Sequence, residues 1–121
     1  MYFMATNYKL KRLNAGRDYI ASNYQVPLSL SDMAKCSYMS PYHFLRVFKD
    51  TYGETPNEFL IRLRVEQAKK MLITENFTVS EICEQVGYTS LGSFSSLFLK
   101  QTGMAPTLYR RKLWALSTEA Y

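Results

Sequence analysis

The feature that most constrains this chain is that it nearly repeats itself. A shift of 50 positions places Tyr38 on Tyr88, Ser40 on Ser90, Phe44 on Phe94 and Phe48 on Phe98. The same shift places Gly53 on Gly103, Pro56 on Pro106 and Phe59 on Tyr109. A shift of 49 aligns the preceding segment: Ser29 with Thr78, Ser31 with Ser80, Asp32 with Glu81, and Ala34 with Cys83. One residue is therefore gained or lost between the two stretches, and the spacing places it between a short helix and the turn that follows. Self-similarity at a fixed period means one supersecondary unit built twice.

The repeated positions are helix punctuation. Ser29, Ser40, Thr55, Thr78 and Ser90 are N-cap residues, whose side-chain oxygens satisfy amides that the first helical turn leaves unpaired. Pro41, Pro56 and Pro106 suit the first helical position, and Gly53 and Gly103 suit the stop. Thr55-Pro56-Asn57-Glu58 and Thr78-Val79-Ser80-Glu81 are capping boxes. Apolar residues recur three and four apart, and no six-residue segment alternates cleanly, which excludes a sheet. The expected fold is all-α, with seven helices forming two helix-turn-helix subdomains joined by a long linker helix. The division is 1–8 as a linker end or tail, 9–55 as the first helix with the first helix-turn-helix unit, and 56–74 as the linker helix. The second unit is 75–116, and 117–121 is a tail.

Within each unit a short helix, a tight turn and a longer helix follow one another. Val86-Gly87-Tyr88 supplies a glycine in the second turn; in the first, Ser37 stands where glycine is expected. In the helix after Ser40, Phe44, Val47, Phe48 and Tyr52 form the inner stripe. Tyr42, Leu45, Arg46 and Lys49 share another face, an aromatic, an aliphatic and two cations near a helix start. Such a face suits the DNA major groove, where Arg46 can fork onto guanine and Tyr42 and Leu45 can pack on thymine methyls. The second copy keeps the inner stripe as Phe94, Leu97 and Phe98. Its outer face instead carries Gly92, Ser95, Ser96 and Leu99, with only Lys100 charged nearby. Short hydroxyls cannot make the bidentate contacts that discriminate bases by about 1–3 kcal/mol.

Charge and composition are compatible with this and exclude much else. There are 15 Lys+Arg against 10 Asp+Glu, a net charge of +5, of which +3 falls in residues 1–28. No run of like charge suggests a disordered basic tail. No stretch approaches the roughly 18 apolar residues of a membrane span, and the N-terminus lacks the order of a signal peptide. With no leader, and with Cys36 and Cys83 as small inner residues rather than a disulfide framework, the expected location is cytoplasmic. His43 is the only histidine; no catalytic constellation, metal site or cofactor loop is expected.

The segments LSLSDMAKCSYMSPYHFLRVFKDTYGETPNEFLIRLRVEQAKKML and VSEICEQVGYTSLGSFSSLFLKQTGMAPTLYRRKL resemble the DNA-binding domain of the AraC/XylS family of bacterial transcription regulators. The carrying motifs are F-x-R-x-F-K-like residues at Phe44–Lys49, R-x-x-x-A-x-x-x-L at Arg64–Leu72, Gly87-Tyr88, and G-x-x-P-x-x-Y-R at Gly103–Arg110. The resemblance implies sequence-specific reading of duplex DNA through two major-groove segments. Base contacts implied by it come from Tyr42, Leu45 and Arg46, and from Leu91, Gly92, Ser93 and Ser96. Implied phosphate contacts are Ser31, Ser40, His43, Lys49, Thr78, Ser90, Lys100 and Arg110. The linker helix, about 18 residues at roughly 1.5 Å each, has a length suited to successive groove openings about 34 Å apart. Ser96 and Leu99 depart from the family, which has basic residues there. Partners implied are duplex DNA, RNA polymerase, and a sensing or dimerisation domain outside this chain, which reads as a piece of a longer regulator. The competing expectation is a helical protein-interaction module with little or no DNA reading, to which the bland second face is suited.

Overall fold

A computed structural model describes residues 2–74 and 76–119, with side chains from Tyr8 to Leu116 apart from Glu75. Seven helices occur among them, and no strand: α1 Tyr2–Asn23, α2 Leu30–Cys36, α3 Pro41–Tyr52, α4 Pro56–Thr74, α5 Val79–Gln85, α6 Leu91–Thr102 and α7 Pro106–Glu119. The helix starts follow the cap chemistry. The hydroxyls of Ser29, Ser40, Thr78 and Ser90 accept from the amides of Asp32, His43, Glu81 and Ser93. At α4 the capping box is complete: the Thr55 amide donates to Glu58 at 3.1 Å, and the Glu58 amide donates to the Thr55 hydroxyl at 3.1 Å. Gly53 and Gly103 end α3 and α6 in the left-handed conformation, φ 79° and 81°. Two boundaries differ from expectation. α1 begins at Tyr2, so residues 2–8 continue the first helix instead of forming a tail, and α7 runs on to Glu119.

The chain forms two compact units, Met1–Leu60 and Ile61–Tyr121. The division falls inside α4, so this helix is shared between them. Phe59 and Leu60 belong to the first core; Val65, Ala68 and Leu72 belong to the second.

In the first unit, Leu13, Ile20, Met33, Ala34, Phe44 and Phe48 are buried with Phe59 and Leu60. Phe48 lies at its centre, with ring centroids 5.5 Å from Phe44, 4.7 Å from Tyr52 and 5.8 Å from Phe59. Arg17 lies over Tyr52 and Phe59 at 4.7 and 5.4 Å, lending a cation to two ring faces. The second unit rebuilds this arrangement with Phe94, Phe98 and Tyr109, the Phe98–Tyr109 pair at 5.4 Å replacing Phe48–Phe59. The likeness extends to every position from 40 to 56: each has the same burial class as its counterpart 50 residues on.

The turns correct the expected register. Tyr38 N donates to Lys35 O and Met39 N to Ala34 O; Gly87 N donates to Glu84 O and Tyr88 N to Cys83 O. The 49-residue shift therefore persists through both turns, and Tyr38, not Ser37, is the counterpart of Gly87. Tyr38 on Tyr88 is a coincidence of letters, and the additional residue in the second copy is Thr89, just before the cap. Tyr88 is half-buried against Phe94, with the largely buried Arg64 guanidinium 5.0 Å from its ring.

Candidate nucleic-acid interface

α3 presents its outer face as the sequence pattern requires. Phe44 and Phe48 are buried, and Tyr42, Arg46 and Lys49 stand on the opposite side in water, Tyr42 at 73% exposure. These three, with Leu45, Asp50 and Thr55, line a shallow groove on the first unit. Leu45 is half-buried instead of exposed: it also borders an apolar depression with Leu28, Leu30 and Met33. Its outward share is therefore one edge of the side chain.

The cations on this face differ in how they are held. Lys49 lies 3.9 Å from the Glu58 carboxylate, both side chains more than half exposed. A pair of that kind is worth little in water. Glu58 has its own reason to stay ionised: the Thr55 amide first, then the Thr55 hydroxyl, hold its carboxyl below the usual glutamate range. Arg46 has no ion pair or hydrogen bond with any described residue, so its five donors remain available.

At the N-terminus of α3 the Ser40 oxygen accepts from the His43 amide at 3.2 Å, leaving the hydroxyl proton free to donate. The His43 side chain is exposed one position after Tyr42. Ser90 repeats this arrangement with the Ser93 amide, also at 3.2 Å. Ser31 and Thr78 are exposed at the starts of α2 and α5.

The α6 face is uncharged. Gly92, Ser93 and Ser96 are exposed between Leu91 and Leu99, which are 45% and 50% exposed, while Ser95 is half-buried. A Cβ on Gly92 would meet nothing nearer than the Ser90 hydroxyl at 3.8 Å, so packing within the chain does not require a glycine there. Lys100 is exposed beside this face.

Arg110 is engaged elsewhere. Its Nε donates to Leu72 O at 2.9 Å, and its guanidinium lies 5.4 Å from the Trp114 ring. Trp114 in turn donates to Ile73 O at 3.2 Å. Together they satisfy carbonyls that the end of α4 leaves unpaired. Arg12 acts similarly in the first unit. Its Nε donates to Ser37 O at 3.1 Å and its Nη2 donates to Tyr38 O, which clamps the first turn. Sequence reading missed both roles, because neither partner is near in sequence. No cluster of three potential metal ligands occurs among the described residues, and no helix there is long and apolar enough to cross a membrane.

Two helix-turn-helix units, each offering the outer face of its second helix, define a DNA-binding type of domain. Comparison with known proteins agrees. A family model described as a helix-turn-helix domain matches residues 33–112. The chain is 35% identical over 97 residues to the HTH-type transcriptional regulator YobQ of Bacillus subtilis, covering 80% of this chain and 40% of that protein. It is 37% identical over 94 residues to the bifunctional transcriptional activator/DNA repair enzyme AdaA of the same organism, covering 78% of this chain and 44% of that protein. Among solved structures, the DNA-binding domain of AdpA, in complex with a target DNA, superposes with a TM-score of 0.81 at 28% identity, covering 85% of this chain and 93% of that one. The chain belongs to the AraC/XylS-type helix-turn-helix family of transcription regulators. It spans less than half the length of these curated relatives.

Proposed function

We propose that this chain binds duplex DNA sequence-specifically and regulates transcription, with the first unit as the principal reader. One observation carries this: the outer face of α3 combines an exposed Tyr42 with an Arg46 that nothing described in the protein engages. A free guanidinium on the N-terminal half of such a helix is suited to the two acceptors of guanine in the major groove. The AdpA domain, similar in fold, is one crystallised with its target DNA.

In this reading Tyr42 and the open edge of Leu45 pack on thymine methyls or sugars, and Arg46 specifies a base. Lys49 leaves its weak pairing with Glu58 for a phosphate. Ser31, Ser40, His43, Thr78 and Ser90 contact the backbone around helix N-termini, and Lys100 contacts it from the last turn of α6. Arg110 has only its Nη1 left for a phosphate, since its Nε is held by Leu72 O and its Nη2 is buried. The second unit reads through Leu91, Gly92, Ser93 and Ser96, with apolar and short polar contacts. At 19 residues, α4 is about 28 Å long, a length suited to joining readers of neighbouring grooves. The domain has no catalytic role of its own and acts in the cytoplasm. In a longer protein it works beside a sensing or dimerisation domain and meets RNA polymerase.

The test is selection from a randomised duplex pool, repeated with Arg46→Ala and Ser96→Ala. Enrichment of one or two boxes by the wild type, lost with Arg46→Ala at unchanged helicity, is expected. Ser96→Ala should change affinity by less than about 1 kcal/mol, the worth of one neutral hydrogen bond. An unchanged site preference in Arg46→Ala would overturn the assignment of the first unit. No enrichment and no salt-sensitive binding to the pool would turn the reading to a protein-interaction module, which the uncharged α6 face with its exposed Leu91 and Leu99 suits.

A further inference from the structure

Four described residues have left-handed backbone: Gly53 at φ 79°, Gly87 at 101°, Gly103 at 81°, and Tyr38 at 55°. Three of the four are glycine, which enters this region freely. Tyr38 does not, because its Cβ crowds the following carbonyl. The second copy of the same turn has Gly87 at the equivalent place, so the turn itself has no use for a side chain.

Nor does the core use it. Tyr38 is 80% exposed, and its phenol makes no hydrogen bond or ring contact with any described residue. The strain is tolerated because Arg12 holds the turn from α1 through the Ser37 and Tyr38 carbonyls. A large amphipathic side chain is thus kept in a disfavoured conformation, in water, where the fold gains nothing from it. Strain of this kind points to a role outside the chain.

Its position says which role. Tyr38 lies two residues, at most about 7 Å of chain, from the cap Ser40 that opens α3. That is the end of the reading helix that goes deepest into the groove, so the turn before it meets a sugar–phosphate strand. We infer that Tyr38 is a DNA-backbone contact of the first unit, its hydroxyl donating to a phosphate oxygen and its ring lying against deoxyribose. This inference rests on the DNA reading above.

Tyr38→Gly, Tyr38→Ala and Tyr38→Phe, made in the full chain, test it by urea unfolding and by affinity for the selected duplex and a scrambled one. Removing the strain in Tyr38→Gly should lower the unfolding equilibrium constant about tenfold. The same variant should bind both duplexes roughly 2- to 10-fold more weakly, as for one lost hydrogen bond and its packing. Gain of stability with loss of binding is the signature, and a merely structural residue does not give it. Tyr38→Ala should lose binding without gaining stability; Tyr38→Phe should lose only the hydroxyl's share. The slope of log affinity against log salt should not change, because an uncharged phenol displaces no counterion.

Unchanged affinity in Tyr38→Gly, while Arg46→Ala loses its site, would overturn this inference and leave the DNA reading standing. A Tyr38→Gly protein less stable than the wild type would overturn the strain argument. Absence of duplex binding by the wild-type chain would overturn both readings together.

Discussion

Gly16 sits in the interior of α1, where glycine costs about 1 kcal/mol relative to alanine. On propensity alone Gly16→Ala should stabilise the protein. Packing in the first unit argues the reverse. A Cβ built on Gly16 would lie 2.2 Å from the Ser37 hydroxyl oxygen and 2.7 Å from Cε1 of Phe44, both buried at 0% exposure. To reach the 3.4 Å of ordinary contact, α1 must withdraw by roughly an ångström from the first turn and α3. Overpacking of this size costs about 1–3 kcal/mol. Withdrawal also stretches the bonds from Arg12 to Ser37 and Tyr38, one helical turn earlier on the same helix; being part-exposed, these add about 1 kcal/mol. Set against the propensity gain, the net loss is about 1–3 kcal/mol, or a fall in melting temperature of roughly 5–20 °C for a unit of this size. Far-UV circular dichroism in urea measures it. Ser37→Ala should restore part of the loss in the double variant, because it removes the nearest obstructing atom, a buried hydroxyl with no hydrogen-bond partner. A Gly16→Ala protein as stable as the wild type, or more so, would show that the helix approaches the turn less closely than described and would refute the argument.

Phe48→Ala and Phe98→Ala should each destabilise by about 3–5 kcal/mol, since both rings are fully buried at equivalent points of the two cores. Denaturant titrations should show comparable losses for the pair. The stabilising contribution of Glu58 is present above the ordinary glutamate value of 4.5 and is lost as pH falls through its lowered folded value. Glu58→Gln should flatten the acid limb of the stability curve below that value. Cys83 is buried, and burial raises its thiol pKa. It should therefore resist alkylation by iodoacetamide in native buffer and react once urea unfolds the second unit, as mass spectrometry can follow.

The helices were legible in the sequence because their signals are local. A cap oxygen and the amide it satisfies lie three residues apart, as Ser40 and His43 or Thr78 and Glu81 do. The inner faces were legible because Phe44, Phe48, Phe94 and Phe98 recur at helical spacing. What escaped depends on pairs distant in sequence. Arg12 and Arg110 clamp backbone 25 and 38 residues away, partners that no local pattern announces. Nothing in a helical wheel distinguishes such an arginine from Arg46, which has no such partner. Leu45 reads as exposed by its angle on α3 and is half-covered by the flank of α2. The turn register misled because two tyrosines align by letter, whereas the hydrogen bonds align Tyr38 with Gly87.

The matched interiors of 40–56 and 90–106 leave the two copies differing chiefly where water reaches. Ser, Phe, Phe, Gly and Pro recur at cap, core, stop and restart, whereas Tyr42, Arg46 and Lys49 correspond in sequence to Gly92, Ser96 and Leu99. Exchanges at such outward positions usually alter stability by no more than about 0.5 kcal/mol. In the DNA reading proposed above, either half can therefore change its outward residues without disturbing the scaffold or the surface of the other half. On that reading, a change of binding site needs substitutions at a few exposed positions of one unit and no repacking of its core.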